Sequence, residues 1–253
     1  MQFSLVLAQE KSLKVTFLST QKIDADDFVG VDGLEYIYYI KDNTLFKKNK
    51  TESWQYANTS LGKITRVDIQ NPLKPVLFYE NFNTIVLLDN QLNETQKINF
   101  AKNTISLLVS AMGIASQNRL WIYDSISQQI GLFDYLKNTF DPIATSFQGN
   151  FNYYNSDFNS FQWIDDKLNW YSCDIFGKIT ALGKVADFEQ IQPITNQLFI
   201  FSKDKKMYIQ DVNTKRIYTI ENIEKSFKKF YYKDQILSIF TTQEFTNYKI
   251  IIP

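Results

Sequence analysis

A chain of 253 residues, 44% hydrophobic and 21% charged, has the balance of a folded globular protein and excludes a disordered one. Its 27 basic and 27 acidic residues cancel, which excludes a nonspecific nucleic-acid binder, whose face must be strongly basic. It has no histidine, which removes the commonest general base and metal ligand, and with them every Ser-His or Cys-His nucleophile.

In chain order, residues 1–9 (MQFSLVLAQ) resemble the end of a signal peptide, with a small-residue cleavage pattern before Gln9. The charged start is missing and the apolar run is short, so a truncated leader over residues 1–8 and a first strand are both open, the leader preferred. Residues 13–19 (LKVTFLS) alternate and predict a strand, placed to close the fold by pairing with the last blade and its C-terminal strand at 248–253 (YKIIIP). Then a strand phrase recurs: a polar turn followed by an apolar, aromatic-rich strand. Its copies are 33–38 (GLEYIY), 74–79 (KPVLFY), 118–124 (NRLWIYD), 167–172 (KLNWYS), 196–201 (NQLFIF) and 234–239 (DQILSI). Taking Leu34, Leu77, Leu120, Leu168, Leu198 and Ile236 as equivalent, the steps are 43, 43, 48, 30 and 38 residues. Hairpins are expected at 85–100, 120–134 and 207–220, with Asp89, Asp124 and Asp211 accepting backbone amides in the turns. Glycine (8) and proline (5) are scarce, so turns must rely on Asn and Asp. Residues 221–230 read as a polar loop or a short helical turn.

Repeats of roughly 40 residues built only from strands are the mark of propeller blades. The prediction is an all-β propeller of five to six blades of short antiparallel sheets, six preferred, forming one domain over residues 9–253. No stretch approaches the ~20 apolar residues needed to span a bilayer as a helix. The single cysteine, Cys173, cannot form an internal disulfide and reads as a small buried hydrophobe.

Chemistry is hard to find. The doublets Asp26-Asp27 and Asp165-Asp166 cannot each form a facing glycosidase pair, because adjacent strand residues point to opposite faces. Gly-rich phosphate loops and His/Cys metal clusters are missing, so the expectation is no enzyme, no metal and no cofactor. Residues 141–190 carry seven acids against three lysines, and 203–233 carry nine bases against four acids. Such clusters are either solvated faces or a means of orienting a partner.

The phrases at 68–79 (DIQNPLKPVLFY), 82–89 (FNTIVLLD) and 118–124 (NRLWIYD) resemble those of exported propeller-type accessory proteins of the type 9 secretion machinery, in particular the plug subunit of its outer-membrane translocon. The resemblance covers about 60 residues and rests on strands, not on catalytic motifs. It implies a non-enzymatic protein at the inner, periplasmic face of the outer membrane, peripheral to it, whose partner is a large translocon barrel that it occludes. It transfers no contact residues. The candidates are the aromatic stretch 147–161 (FQGNFNYYNSDFNSF), with Phe151, Tyr153, Tyr154 and Phe158, and a basic segment with Lys225, Lys228 and Lys229. The aromatic residues read equally well as a binding loop or as strands of another blade. The alternative function is an envelope propeller that binds a glycan or peptide; a cytoplasmic scaffold comes third.

Overall fold

The computed structural model describes residues 11–148, 150–223 and 227–252; the expected leader at 1–8 and Lys225 lie outside them. Almost every element is a strand. The fold is a six-bladed β-propeller, and its residues fall into two compact units, 25–183 in one and those up to Asp24 and from Lys184 onward in the other.

The first unit holds four sheets. Blade 1 is β3 (Asp27–Val31), β4 (Ile37–Lys41), β5 (Thr44–Lys48) and β6 (Ser53–Tyr56). Blade 2 is β7 (Arg66–Asp68), β8 (Val76–Tyr79), β9 (Thr84–Leu88) and β10 (Glu94–Asn99). Blade 3 is β11 (Val109–Ile114), β12 (Arg119–Asp124), β13 (Gln129–Asp134) and β14 (Thr139–Pro142). Blade 4 is β15 (Tyr153–Ser156), β16 (Ser160–Ile164), β17 (Asn169–Asp174) and β18 (Ile179–Lys184). Each is an antiparallel meander in chain order.

The other unit holds two. Blade 5 is β19 (Gln190–Pro193), β20 (Leu198–Lys203), β21 (Lys206–Asp211) and β22 (Arg216–Glu221), to which β1 (Lys11–Lys14) adds a parallel fifth strand. Blade 6 is β23 (Lys229–Lys233), β24 (Ile236–Phe240) and β25 (Glu244–Lys249), completed by β2 (Thr16–Lys22) against β25. The expected N-terminal strand is therefore two strands, and only the second joins the last blade. Val15, between them, is buried in the core shared by blades 5 and 6. The C-terminal strand ends at Lys249, earlier than expected.

In blades 2 and 3 the second and third strands are mostly apolar because both their faces are buried. In β8, Val76 and Phe78 face the core shared with blade 3, while Leu77 and Tyr79 face the core shared with blade 1. Between blades 3 and 4, Trp121, Tyr123 and Leu132 meet Phe161, Trp163 and Cys173. Fully burying each such side chain contributes about 1.5–3 kcal/mol, so the inter-blade layers hold the unit together.

Measured on the second strands, which start at Ile37, Val76, Arg119, Ser160, Leu198 and Ile236, the repeat steps are 39, 43, 41, 38 and 38 residues. The irregular 48 and 30 of the sequence reading arose because Leu168 precedes a third strand, β17. β17 buries Trp170 and Cys173 behind a polar turn, so its sequence looks like a second-strand phrase. Two-residue turns at Asp42-Asn43, Asp204-Lys205 and Asp234-Gln235 all have positive φ, the geometry that suits the twist of paired strands. Asn and Asp fill most of these positions, which is how the chain manages with few glycines.

Candidate functional site

In an antiparallel meander, the turn after the first strand and the turn after the third lie at the same end of the sheet. In residues 25–183 these turns are hydrogen-bonded from blade to blade. Lys47 of β5 donates to the carbonyls of Asn90 (2.8 Å) and Pro72 (3.4 Å) in two turns of blade 2. Lys74 donates to Tyr135 Oη (2.8 Å) in blade 3, and Tyr135 Oη donates to Asn118 Oδ1 (2.9 Å). Ser116 N donates to Phe158 O in blade 4 (2.9 Å), and Ile175 N to Asn159 O (3.2 Å). The turns at this end of the four blades thus form one connected surface.

That surface presents exposed apolar tips from every blade of the unit: Leu34, Leu73, Leu136, Phe158 and Phe176, the last 85% exposed. Four are built identically. An Asp or Asn at the strand end, or in the turn for Asn71, accepts the amide two residues on, which folds the turn and leaves that residue's side chain outward. The pairs are Asp32 with Leu34 N (2.8 Å), Asn71 with Leu73 N (3.0 Å), Asp134 with Leu136 N (3.0 Å) and Asp174 with Phe176 N (2.9 Å). At the opposite end the exposed tips are Phe82, Leu108 and Ile126, which come from blades 2 and 3 and the connection between them. Single exposed apolar residues are ordinary; a repeated apolar tip from each blade at one end is not.

The Lys137 amide holds Asp134 below the usual carboxylate range, and the Asn93 side-chain amide does the same for Asp89. Lys47 is buried among the rings of Tyr36 (4.6 Å from Nζ), Tyr38 (5.4 Å) and Trp54 (5.5 Å), and burial pulls its pKa down. It is a clamp between blades: its ammonium is spent on two carbonyls and three ring faces.

A second polar cluster joins the first strands of blades 2, 3 and 4. The Arg66 guanidinium lies 4.0 Å over the Tyr154 ring and donates to the Tyr154 carbonyl (3.2 Å). Asp68 Oδ2 accepts from Ile114 N (2.8 Å). Arg66 Nε and Ser156 Oγ are buried with no hydrogen-bond partner among the described residues.

The aromatic stretch leads into a blade: β15 takes Tyr153 to Ser156, and β16 begins at Ser160. Phe151 packs edge-on to Tyr123 (4.7 Å) and Tyr154 stacks on Phe161 (5.7 Å), both in the core between blades 3 and 4. Tyr153 is half-buried in β15, and Phe158 stands exposed in the turn that follows. Lys228 precedes β23 and Lys229 begins it, in the other unit. The Lys228 backbone is engaged, its N donating to Phe240 O (2.8 Å) and its O accepting from Gln190 Nε2 (2.7 Å), and Lys229 pairs with Phe240 in the sheet. Asp165 accepts the amides of Lys167 and Asn169, so this member of the second doublet is a turn former. None of the tips Leu34, Leu73, Leu136 and Phe176 is among the contacts expected from the sequence, and Leu34, used there as a strand repeat point, lies in an exposed turn. Their signal is the pattern Asp/Asn-x-Leu/Phe in a turn between two strands. Among the described residues no cluster of His, Cys, Asp or Glu is placed to hold a metal, and no helix is long and apolar enough to cross a membrane.

No protein-family model matches the sequence, and no curated protein matches it. Solved structures do share the fold. A catalytically inactive virginiamycin B lyase from Staphylococcus aureus, solved with quinupristin, is 10% identical, with 92% of this chain and 99% of that one covered at a TM-score of 0.60. The β-propeller domain of Cps50 (Swd1) from Myceliophteria thermophila is 8% identical over 94% of this chain and all of that one, at 0.61. PorZ, a type-IX secretion component of Porphyromonas gingivalis, is 12% identical over 89% of this chain and 31% of that one, at 0.47, a score too low to bear on function. At 8–10% identity the virginiamycin B lyase and Cps50 likenesses show the fold alone, and a shared fold does not name the activity.

Proposed function

We propose that this chain is a noncatalytic interaction propeller that docks onto a protein partner through the turn end of residues 25–183. The observation that carries this reading is the set of exposed tips Leu34, Leu73, Leu136, Phe158 and Phe176 on turns bonded to one another. Rigid turns present apolar side chains at little entropic cost, which favours association. We further propose that the partner is the periplasmic mouth of the large outer-membrane barrel of type 9 secretion, which the chain occludes while cargo is absent. The support is the resemblance of the phrases at 68–79, 82–89 and 118–124. A barrel wide enough for folded cargo leaks small molecules unless blocked, and a stopper without net charge can be released. Of the sequence-derived contacts, Phe158 belongs to this face; Lys228 and Lys229 are proposed as a separate contact.

A second reading is an envelope propeller that holds a glycan or peptide. It is favoured by one observation, the buried and unpartnered Arg66 Nε and Ser156 Oγ. One experiment separates the two. A tagged copy is captured from detergent-solubilised envelopes and its companions identified by mass spectrometry. Stoichiometric recovery of a giant outer-membrane barrel supports the plug. Recovery of the bare protein in the soluble fraction, with a signal on a glycan or peptide array, overturns it in favour of the second reading.

A further inference from the structure

Two of the exposed tips have an unusual chain neighbour. Leu73 is followed by Lys74, and Leu136 is preceded by Tyr135; these two neighbours bond to each other across blades 2 and 3, Lys74 Nζ to Tyr135 Oη at 2.8 Å. The same ammonium lies 4.9 Å from the Tyr135 ring centroid. Tyr135 is fixed at every polar atom. Its hydroxyl donates to Asn118 Oδ1 (2.9 Å), its amide donates to Asn118 O (3.2 Å), and its carbonyl accepts from Gln96 Nε2 of β10 (2.8 Å). It is 6% exposed, yet the next residue is 70% exposed. The buried ring thus anchors an exposed tip, and Lys74 connects that anchor to the tip of the neighbouring blade.

We propose that Lys74 and Tyr135 are positioning residues of the docking face: their bond fixes the Leu73 and Leu136 tips relative to each other, so that the partner meets a preformed pair. The proposal rests on the docking reading above. A bond from a charged donor to a nearly buried hydroxyl is among the stronger side-chain bonds, and it replaces freedom that a docking surface otherwise loses on binding.

The test uses the full chain with Lys74→Met, Tyr135→Phe and Lys74→Arg, read by amide hydrogen exchange and by capture of the outer-membrane barrel from detergent-solubilised envelopes. Lys74→Met and Tyr135→Phe should each raise exchange at the amides of Leu73, Leu136 and Lys137 about tenfold, the scale of one lost charged hydrogen bond. The β8 and β13 amides should stay protected, which shows that the variants are folded. Capture of the barrel should fall, the double variant should be no worse than either single one, and Lys74→Arg, which keeps a charged donor, should restore both readouts. Unchanged exchange at the three turn amides would overturn the positioning role even if tip variants abolish capture. Raised exchange with undiminished capture would instead sink the docking face, and the proposal with it.

Discussion

At Gly113 the backbone of β11 passes so close to blade 4 that a Cβ there would lie 1.8 Å from Ser156 Oγ and 3.0 Å from Ser156 Cβ. Gly113→Ala should therefore cost about 1–3 kcal/mol by overpacking, and Ser156→Gly in the same chain should recover part of it, seen as the urea midpoint in a double-mutant cycle. Tyr56 gives a pH dependence. Burial, aided by its 2.6 Å bond to Glu94, pushes its pKa up to about 12. Below pH 10 the phenol is protonated in both folded and unfolded chains. Above pH 10 only the unfolded chain ionises it, so stability falls as pH rises from 10 toward 12. Tyr56→Phe should lose less stability than the parent between pH 9 and 11. The difference, on the order of 1 kcal/mol because Tyr56 is half-exposed and screened, is read from denaturant unfolding at each pH. Cys173 is the reverse of reactive. Burial pushes its thiol up to about 12, in keeping with the small buried hydrophobe its strand phrase suggested.

The strands were legible because their periodicity states which faces are buried. The hairpins expected at 85–100, 120–134 and 207–220 are β9–β10, β12–β13 and β21–β22, with Asp89, Asp124 and Asp211 each accepting backbone amides of the turn. The register of the repeat was not legible at 167–172, where β17 imitates a second strand. Nor was the division of the N-terminal segment. KSLK at 11–14 and TFLSTQK at 16–22 are both strand-like, and only their neighbours β22 and β25 decide that one pairs parallel and the other antiparallel. These two strands cover the edges of β22 and β25. Deleting residues 11–22 should uncover both edges and remove Val15 from its core. The thermal midpoint should then fall, and light scattering should show association that a synthetic 11–22 peptide reverses. A monomeric variant of unchanged midpoint would show that these strands are ornamental.

For the whole molecule the function rests on what the blades display. Leu73→Asp, Leu136→Asp and Phe176→Asp combined should leave the unfolding midpoint nearly unchanged, because none of the three is buried. Envelope capture of the barrel should drop at least tenfold. A large stability loss would mark the tips as structural, and retained capture would move docking elsewhere. Phe151 and Tyr154 show why the contacts were hard to read in advance. Aromatic residues next to Asn look the same in sequence whether they line a loop or fill a layer between blades, and here they fill the layer.

By itself the sequence determined the all-β class, the recurrence of blades and the Asp-made turns, because each follows from local alternation and from side chains that bond their own backbone. Tertiary structure alone decided that Leu34, Leu73, Leu136, Phe158 and Phe176 share one end of their unit, and that Lys74 meets Tyr135 across 61 positions of chain. Which turns become neighbours depends on how sheets stack face to face, and no local pattern encodes that contact.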